Sequence, residues 1–289
     1  MDHKNLAKTG VLLPAIGLGT WQYKAGIEPL RTGISLGAGF IDTAESYGTE
    51  EVIGQAIQGI RKNIFLATKV SPRHFRRADL IASAEASLKR LRTDYIDLYQ
   101  LHWPNYTVPI EETMGAMEEL VDNGKVRFIG VSNFFVSDLK RAQKAMSKHK
   151  VVSNQVRYNL IDRTIESGLL DYCQQWNITV IAHSPLANEF SLIGAEDRKQ
   201  VINKIAQARA KTPAQIAINW CISKKGLVTI PKASSVKHVK ENCEAADFQL
   251  SPEELRLLNQ EINYRCRGSV ELYLRQIARK GLQYMGKNQ

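Results

Sequence analysis

The chain contains 289 residues, of which 44% are hydrophobic, and it carries a formal net charge of +10 at pH 7. This length fits a single large α/β barrel, which takes about 250 residues, better than it fits two ordinary domains. No stretch approaches the roughly 18 apolar residues of a membrane span, and the N-terminal residues lack the long apolar segment of a signal peptide. The positive charge is not interleaved with a nucleic-acid-binding motif, so it indicates solvated helix faces with some bias toward anionic ligands.

Cysteine and histidine spacing argues against a disulfide framework and against a metal site. The six histidines show no ligand-like pairing, so no metal is expected. No Gly-x-Gly-x-x-Gly turn is present either, which argues against a Rossmann dinucleotide domain. The cysteines are widely spaced without a Cys-x-x-Cys pair, which predicts reduced thiols in a cytoplasmic protein; they are Cys173, Cys221, Cys243 and Cys266.

Short apolar runs alternate with amphipathic segments along the chain, which predicts β-strand–α-helix units and a parallel sheet. Residues 6–13 come first and predict a small hairpin with its turn near Thr9 and Gly10. Eight strands are then predicted, at residues 15–20, 40–43, 64–69, 95–102, 127–132, 151–156, 179–183 and 227–230. The intervening helical patterns lie at residues 29–36, 50–58, 80–91, 111–123, 136–147, 168–175, 199–209 and 213–224, and one at 236–245 follows the last strand. We therefore expect a (β/α)8 TIM barrel with an N-terminal β-hairpin, as a single domain over residues 1–289.

The end of the chain predicts extra C-terminal helices. Ser251 and Pro252 are a good helix start, because the hydroxyl can cap the helix and proline suits its first turn. Residues 264–289 form a basic tail in which apolar residues recur at helical spacing, namely Val270, Tyr273, Leu274, Ile277 and Ala278. We interpret the tail as a helix that packs this apolar stripe on the barrel.

Four polar residues lie at or just beyond the ends of three successive predicted strands: Asp42, Tyr47, Lys69 and His102. In a parallel barrel the C-terminal ends of the strands converge, so these side chains are expected to meet. Reduction of a carbonyl places negative charge on its oxygen, and the site must stabilise that oxygen and supply a proton. Tyr47 is the candidate acid, and Lys69 is the cation expected to lower its pKa. Asp42 would hold Lys69, and His102 would orient the carbonyl oxygen. Each residue alone also fits an ordinary structural role, and the combination favours catalysis.

Several segments resemble motifs of the aldo-keto reductase family in the same order. Residues 39–48 (GFIDTAESYG) resemble its opening signature, and residues 101–104 (LHWP), 130–133 (GVSN) and 230–232 (IPK) resemble later motifs. The resemblance runs from about Leu6 to about Asn263. It implies NADP(H)-dependent reduction of an aldehyde or ketone to an alcohol, with Tyr47 as general acid and the hairpin at the bottom of the barrel. It also leaves a second interpretation of the tail, as part of the substrate-pocket rim or a subunit contact.

The resemblance further implies a nicotinamide cofactor lying across the barrel mouth. His183 stands where the family usually has a tyrosine stacked on the nicotinamide, and residues 186–190 lack the glycines common there. His238 replaces the usual arginine at the ribose 2′-phosphate, so we expect NADPH to be preferred, with weaker but possible use of NADH. The implied contacts are Ser132, Asn133 and Gln155 at the carboxamide, Ser184 and Leu186 along the pyrophosphate, Lys232, Ser234 and Ser235 at the 2′-phosphate, and Glu241 and Asn242 at the adenine edge.

The substrate and the assembly state are not determined by the sequence. Trp21 and Trp103 are expected to line an aromatic pocket for a small carbonyl compound, with Tyr106 and Phe75 as further candidates that could equally be packing residues. A cofactor-binding regulatory subunit of the potassium-channel β type is the alternative function. Such subunits carry an N-terminal extension before the barrel, whereas this sequence begins within a few residues of the predicted hairpin, so we expect the free enzyme. No nucleic acid or membrane partner is expected, and the oligomeric state stays open.

Overall fold

The computed structural model describes residues 1–285. An antiparallel hairpin of β1 (His3–Asn5) and β2 (Leu12–Pro14) comes first. The predicted hairpin is confirmed, but its strands lie outside residues 6–11, because Ala7 (φ 49°) and Gly10 (φ 79°) take left-handed conformations that turn the chain. Thr179 ties the hairpin to the barrel, since its hydroxyl accepts a hydrogen bond from the Ala7 amide at 2.8 Å and donates one to the Asn5 carbonyl at 3.1 Å.

Eight parallel strands form the barrel in chain order. Each strand pairs with the next, and the barrel closes where the Gly17 amide donates to the Thr229 carbonyl at 2.8 Å and the Thr229 amide donates to the Ala15 carbonyl at 2.9 Å. The predicted (β/α)8 barrel is therefore confirmed. The strands are β3 (Leu18–Gly19), β4 (Phe40–Asp42), β5 (Phe65–Val70), β6 (Ile96–Leu101), β7 (Val126–Ser132), β8 (Val151–Arg157), β9 (Thr179–His183) and β10 (Leu227–Thr229).

Helices cover the outside of the barrel, close to their predicted positions. The predicted start at Ser251 is a capping box, and the helix that follows Thr212 begins with another; in each, the hydroxyl accepts from the amide three residues later. A helix at residues 190–196 was not predicted. The helices are α1 (Ile27–Ser35), α2 (Glu50–Ala56), α3 (Arg77–Leu91), α4 (Ile110–Asp122), α5 (Val136–Ala145), α6 (Leu169–Gln175), α7 (Phe190–Glu196), α8 (Val201–Arg209), α9 (Pro213–Ile222), α10 (Val236–Glu244), α11 (Pro252–Glu261) and α12 (Ser269–Tyr284).

The two-residue period of the strands places apolar and polar side chains in separate layers inside the barrel. Phe40, Phe65 and Leu98 belong to a buried cluster with the hairpin residues Leu6 and Leu13. Two or four residues further along the same strands, on the same inward face, lie the polar side chains Asp42, Lys69, Gln100 and His102. The hairpin end of the barrel interior is thus filled with apolar side chains, and the C-terminal end carries the polar and ionisable side chains.

The C-terminal helix α12 contacts the barrel through polar side chains. The Gln283 side chain accepts from the Tyr106 amide at 2.8 Å and donates to the Pro104 carbonyl at 2.9 Å, and Gln276 donates to Asp138 Oδ1 at 2.9 Å. The prediction that the tail packs its apolar stripe on the barrel is wrong, because the loop after β6 offers backbone groups that glutamines can satisfy and apolar side chains cannot. The stripe faces solvent instead, with exposed Val270, Tyr273, Leu274, Ile277 and Ala278.

No helix within residues 1–285 has both the length and the apolar composition that crossing a membrane requires. All four cysteines are free thiols; Cys266 is exposed and the other three are buried.

Candidate active site

The structure brings the four predicted catalytic side chains together at the C-terminal end of the barrel. Asp42 ends β4, Lys69 lies in β5, His102 directly follows β6, and Tyr47 ends a single 3₁₀ turn at Glu45–Tyr47. Lys69 Nζ donates to Asp42 Oδ2 at 2.6 Å and to the carbonyl of Thr43 at 2.8 Å. The Tyr47 hydroxyl lies 3.4 Å from His102 Nε2, and Lys69 Nζ lies 4.9 Å from the centre of the Tyr47 ring.

Burial and the Lys69 charge set the protonation states of this group. Burial favours the neutral amine of Lys69, but Asp42 and Tyr47 outweigh it and raise the pKa of Lys69, so the ammonium persists at neutral pH. Burial raises the pKa of Tyr47 and exceeds the opposing effect of Lys69, so the expectation of a net lowered pKa is not met. Burial and then Lys69 lower the pKa of His102 to about 3. At neutral pH the site therefore holds a protonated phenol and a neutral imidazole beside a buried ammonium.

Asp42 is held by two glutamine amides as well as by Lys69. Asp42 Oδ1 accepts from Gln155 Nε2 at 2.7 Å and from Gln100 Nε2 at 3.2 Å. Gln100 was not predicted as a site residue. Its signal in the sequence is its place two residues before His102, which puts both side chains on the inward face of the same strand. Three donors on its two oxygens fix the position of the carboxylate against Lys69.

The residues expected at the nicotinamide carboxamide form one connected group next to His102. Ser132 Oγ donates to the Gln155 carbonyl at 3.0 Å. Asn133 Nδ2 donates to Ser132 Oγ at 2.9 Å and to the His102 carbonyl at 3.1 Å. Asn133 has a φ of 60°, a left-handed conformation that asparagine tolerates better than most residues. The ends of β6, β7 and β8 are thereby tied together beside the catalytic group.

The segment after β9 adopts a glycine-like backbone without glycine. Ser184, Ala187 and Asn188 have φ values of 53°, 59° and 75°. Such conformations cost roughly 1 kcal/mol or more each outside glycine, and they persist only where surrounding contacts hold them. Asn159 Nδ2 donates to the Ser184 carbonyl at 3.0 Å, and Arg157 Nη2 donates to the Ala187 carbonyl at 3.3 Å. The loop expected along the pyrophosphate, which includes Leu186, is thus held in shape from β8 and the chain following it.

His183, the residue in place of the usual stacking tyrosine, ends β9 with a fixed ring orientation. Its Nδ1 lies 3.0 Å from Ser184 Oγ. Burial and then the charge of Lys69 lower the pKa of His183 to about 3, so the imidazole is neutral at physiological pH. His183 therefore adds no positive charge to this part of the barrel mouth near neutral pH.

The residues expected at the 2′-phosphate gather at the start of α10. Ser235 caps this helix, since its Oγ accepts from the His238 amide at 3.2 Å. Lys232 pairs with Gly19 at the seam of the barrel, where the chain after β10 closes onto β3. Lys232, Ser234, Ser235 and His238 are all exposed there. By contrast, the Glu241 carboxylate accepts from Thr212 Oγ1 at 2.5 Å, and Asn242 is buried.

The four candidate pocket aromatics separate into two kinds. Trp21 and Trp103 follow β3 and β6 and are 47% and 39% exposed, so they lie open at the mouth of the barrel. Phe75 is buried in the main core, and Tyr106 is buried with its hydroxyl donating to Asp138 Oδ2 at 3.1 Å. Phe75 and Tyr106 are thus packed in the structure, and of the four candidates the two tryptophans are the exposed ones.

A family model described as the aldo/keto reductase family matches residues 15–262. The chain is similar to methylglyoxal reductase YeaE of Escherichia coli (41% identical over 270 residues, covering 90% of this chain and 95% of the relative). Among solved structures, an aldo-keto reductase from Klebsiella pneumoniae in complex with NADPH is 41% identical with a TM-score of 0.86, covering 93% of this chain and 98% of its own. The thermostable aldo-keto reductase Tm1743 with the inhibitor epalrestat is 43% identical with a TM-score of 0.84, covering 90% and 99%.

Proposed function

Because the chain belongs to the aldo/keto reductase family, we propose that it reduces a small aldehyde or ketone to an alcohol with NADPH, using Tyr47 as the proton donor. The observation that carries the assignment is the meeting of Tyr47 and His102 at 3.4 Å above the buried Lys69–Asp42 ion pair. Two groups able to donate hydrogen bonds converge on one point, where a carbonyl oxygen can accept from both.

The proton transfer follows from the positions of these side chains. NADPH, when bound, supplies the hydride that reaches the carbonyl carbon. The carbonyl oxygen then carries the negative charge and takes the proton of Tyr47, which leaves a phenolate beside the Lys69 ammonium. His102, neutral at physiological pH, orients the oxygen without competing for the proton. Solvent returns the proton to Tyr47 and completes the cycle.

The donor set at the mouth fits a nicotinamide dinucleotide phosphate. Lys232 and the exposed hydroxyls of Ser234 and Ser235 lie at the N-terminus of α10, where backbone amides and the helix dipole favour an anion such as the 2′-phosphate. Ser132, Asn133 and Gln155 supply amide and hydroxyl groups to a carboxamide, and the loop through Ser184 would follow the pyrophosphate. Support comes from the similar Klebsiella pneumoniae aldo-keto reductase structure, which holds NADPH.

The substrate of the E. coli relative suggests a first candidate. Methylglyoxal is a small carbonyl compound, and the two exposed tryptophans at the mouth offer apolar surface to a substrate of this kind. We also infer a reducing compartment such as the cytoplasm, which the four free thiols support.

The test is consumption of NADPH by the purified protein with a panel of aldehydes that includes methylglyoxal. Tyr47→Phe removes only the proton donor and keeps the ring, so we expect activity to fall by about 100-fold or more with NADPH affinity nearly unchanged. Tyr23→Phe is the matched control, because Tyr23 is a buried tyrosine whose hydroxyl donates to the Gly26 carbonyl and to none of the four catalytic side chains. Equal turnover by wild type and Tyr47→Phe would contradict the assignment of Tyr47.

A further inference from the structure

A glutamate two residues before Tyr47 ties the loop of the proton donor to the strand that carries Lys69. Glu45 begins the 3₁₀ turn that ends at Tyr47, and its side chain is 9% exposed. Glu45 Oε1 accepts from the Ser71 amide at 2.6 Å and lies 2.9 Å from His74 Nδ1. Ser71 directly follows β5, two residues after Lys69. Glu45 therefore joins the proton donor to the end of the strand that holds the neighbouring cation.

The Glu45 carboxylate takes the place of a backbone carbonyl in the ladder between β4 and β5. At the start of this ladder the Phe65 amide donates to the Gly39 carbonyl at 2.8 Å. Six residues further along both chains, a continued parallel ladder would join the Ser71 amide to the Glu45 carbonyl. The chain turns away at this point, and the Ser71 amide donates to the side chain of Glu45 instead. A carboxylate acceptor makes this bond stronger than the backbone bond that it replaces.

The loop of residues 44–48 has few other restraints. Its ends are joined, since Thr43 Oγ1 lies 2.7 Å from Thr49 Oγ1. A single 3₁₀ turn has poor hydrogen-bond geometry, and Gly48, with a φ of 68°, adds conformational freedom next to it. Within residues 1–285, the side chains of this loop that hydrogen-bond beyond it are those of Glu45 and Tyr47. The position of the phenol therefore depends on the bond between Glu45 and the end of β5.

We propose that Glu45 is a positioning residue that holds the Tyr47 hydroxyl at the point shared with His102. This proposal rests on the proposed reductase function. The Tyr47 hydroxyl lies 3.4 Å from His102 Nε2, and a carbonyl oxygen must accept from both groups at once. Displacement of a reacting group by about 1 Å can cost about 100-fold in rate. Glu45 acts through the length of its side chain, which reaches the Ser71 amide, and its charge is secondary.

The experiment separates the reach of this side chain from its charge. Glu45→Asp keeps the charge but is one methylene too short for the Ser71 amide, whereas Glu45→Gln keeps the reach and an oxygen acceptor but loses the charge. With NADPH and an aldehyde that the wild type reduces, Glu45→Asp and Glu45→Ala should lower kcat by about 10- to 100-fold and leave the Kd for NADPH within about twofold. Glu45→Gln should retain most of the wild-type kcat.

A displaced phenol also slows the proton transfer itself. The solvent deuterium isotope effect on kcat should therefore be larger in Glu45→Asp than in wild type, a change that lowered stability alone would not produce. Urea unfolding measures the stability of each variant in parallel. Glu45→Asp is the milder substitution, and it keeps the test in force if Glu45→Ala does not fold.

Glu51→Ala is the matched control, since Glu51 is exposed in α2, four residues after Tyr47. It should change neither kcat nor the isotope effect. Wild-type kcat in Glu45→Asp would overturn the proposal, and so would a lowered kcat with an unchanged isotope effect. A kcat lost in Glu45→Gln but kept in Glu45→Asp would show that the charge matters and the reach does not, which overturns it as well. If Tyr47→Phe keeps wild-type turnover, the reductase assignment itself fails; if Tyr47→Phe loses activity and Glu45→Asp does not, only the positioning role fails.

Discussion

Lys69→Met tests whether the buried ammonium acts on Tyr47 or only holds the barrel together. The ammonium lies 4.9 Å from the centre of the Tyr47 ring. At an effective dielectric constant of about 20, two unit charges at that separation attract by ~3 kcal/mol, which corresponds to about 100-fold in the stability of a phenolate. We therefore expect kcat to fall by about 100-fold, and the pH dependence of kcat to shift because the phenol is no longer acidified.

Stability changes must be separated from this effect, because Lys69→Met also leaves Asp42 as a buried carboxylate without its cation. Loss of one partner of a buried ion pair typically costs ~3–5 kcal/mol of unfolding free energy. Adding Asp42→Asn removes the remaining charge while the amide can still hydrogen-bond. The double variant should regain much of the stability, measured by urea unfolding, and none of the activity.

Lys4→Met provides a matched lysine control. Lys4 is partly buried at the hairpin end of the barrel, where it donates to the Lys224 carbonyl at 3.0 Å. Its loss should lower stability and leave kcat and its pH profile unchanged. The reasoning about Lys69 fails if Lys69→Met keeps the wild-type rate across the pH range, or if the double variant with Asp42→Asn restores activity along with stability.

Three further outcomes are expected. Lys232→Ala should raise the KM for NADPH far more than the KM for NADH, and equal changes for both cofactors would contradict a phosphate site at Lys232. In the wild-type protein, the preference for NADPH should shrink as the salt concentration rises. His183→Tyr should tighten NADPH binding because a phenol ring offers more stacking area, measured as a Kd on either side of about pH 6.5; weaker binding at both values would show that the contact with Ser184 matters more. His102 and His183 have pKa values lowered to about 3, so the unfolded chain binds more protons below about pH 6.5. Stability should therefore fall as the pH drops from about 6.5 toward 3, by up to about 1.4 kcal/mol per pH unit for each histidine, and urea midpoints that do not change with pH would contradict this.

The order of the predicted strands carried most of the predictable information. Asp42, Lys69 and His102 stand at the ends of three successive predicted strands, and this position was sufficient to place the polar set at one end of the barrel. Gln100 was missed because a glutamine inside an apolar strand has no distinctive spacing, and its role depends on distances across three strands.

The errors arose where tertiary contacts overrode local patterns. The stripe on α12 has helical spacing, and the helix is present, but the spacing does not say which face meets the barrel. The face that contains Gln283 meets the barrel because this side chain hydrogen-bonds to the Pro104 carbonyl and the Tyr106 amide. The direction of the Tyr47 pKa shift was mispredicted for a similar reason. Lys69 lowers this pKa as expected, but burial raises it by more, and the degree of burial depends on the fold.

The seam of the barrel has a consequence for how the protein is made. Closure joins Ile16 to Thr229 and Gly19 to Lys232, pairs on the order of 200 residues apart, so it depends on long-range contacts that form slowly. While the ribosome is still adding residues before β10, the edge of β3 has no partner on that side. A nascent chain at that stage is an open sheet with an unpaired, apolar edge, the kind of surface that aggregates or recruits chaperones. Truncation before β10 should therefore yield an insoluble product instead of a smaller folded barrel.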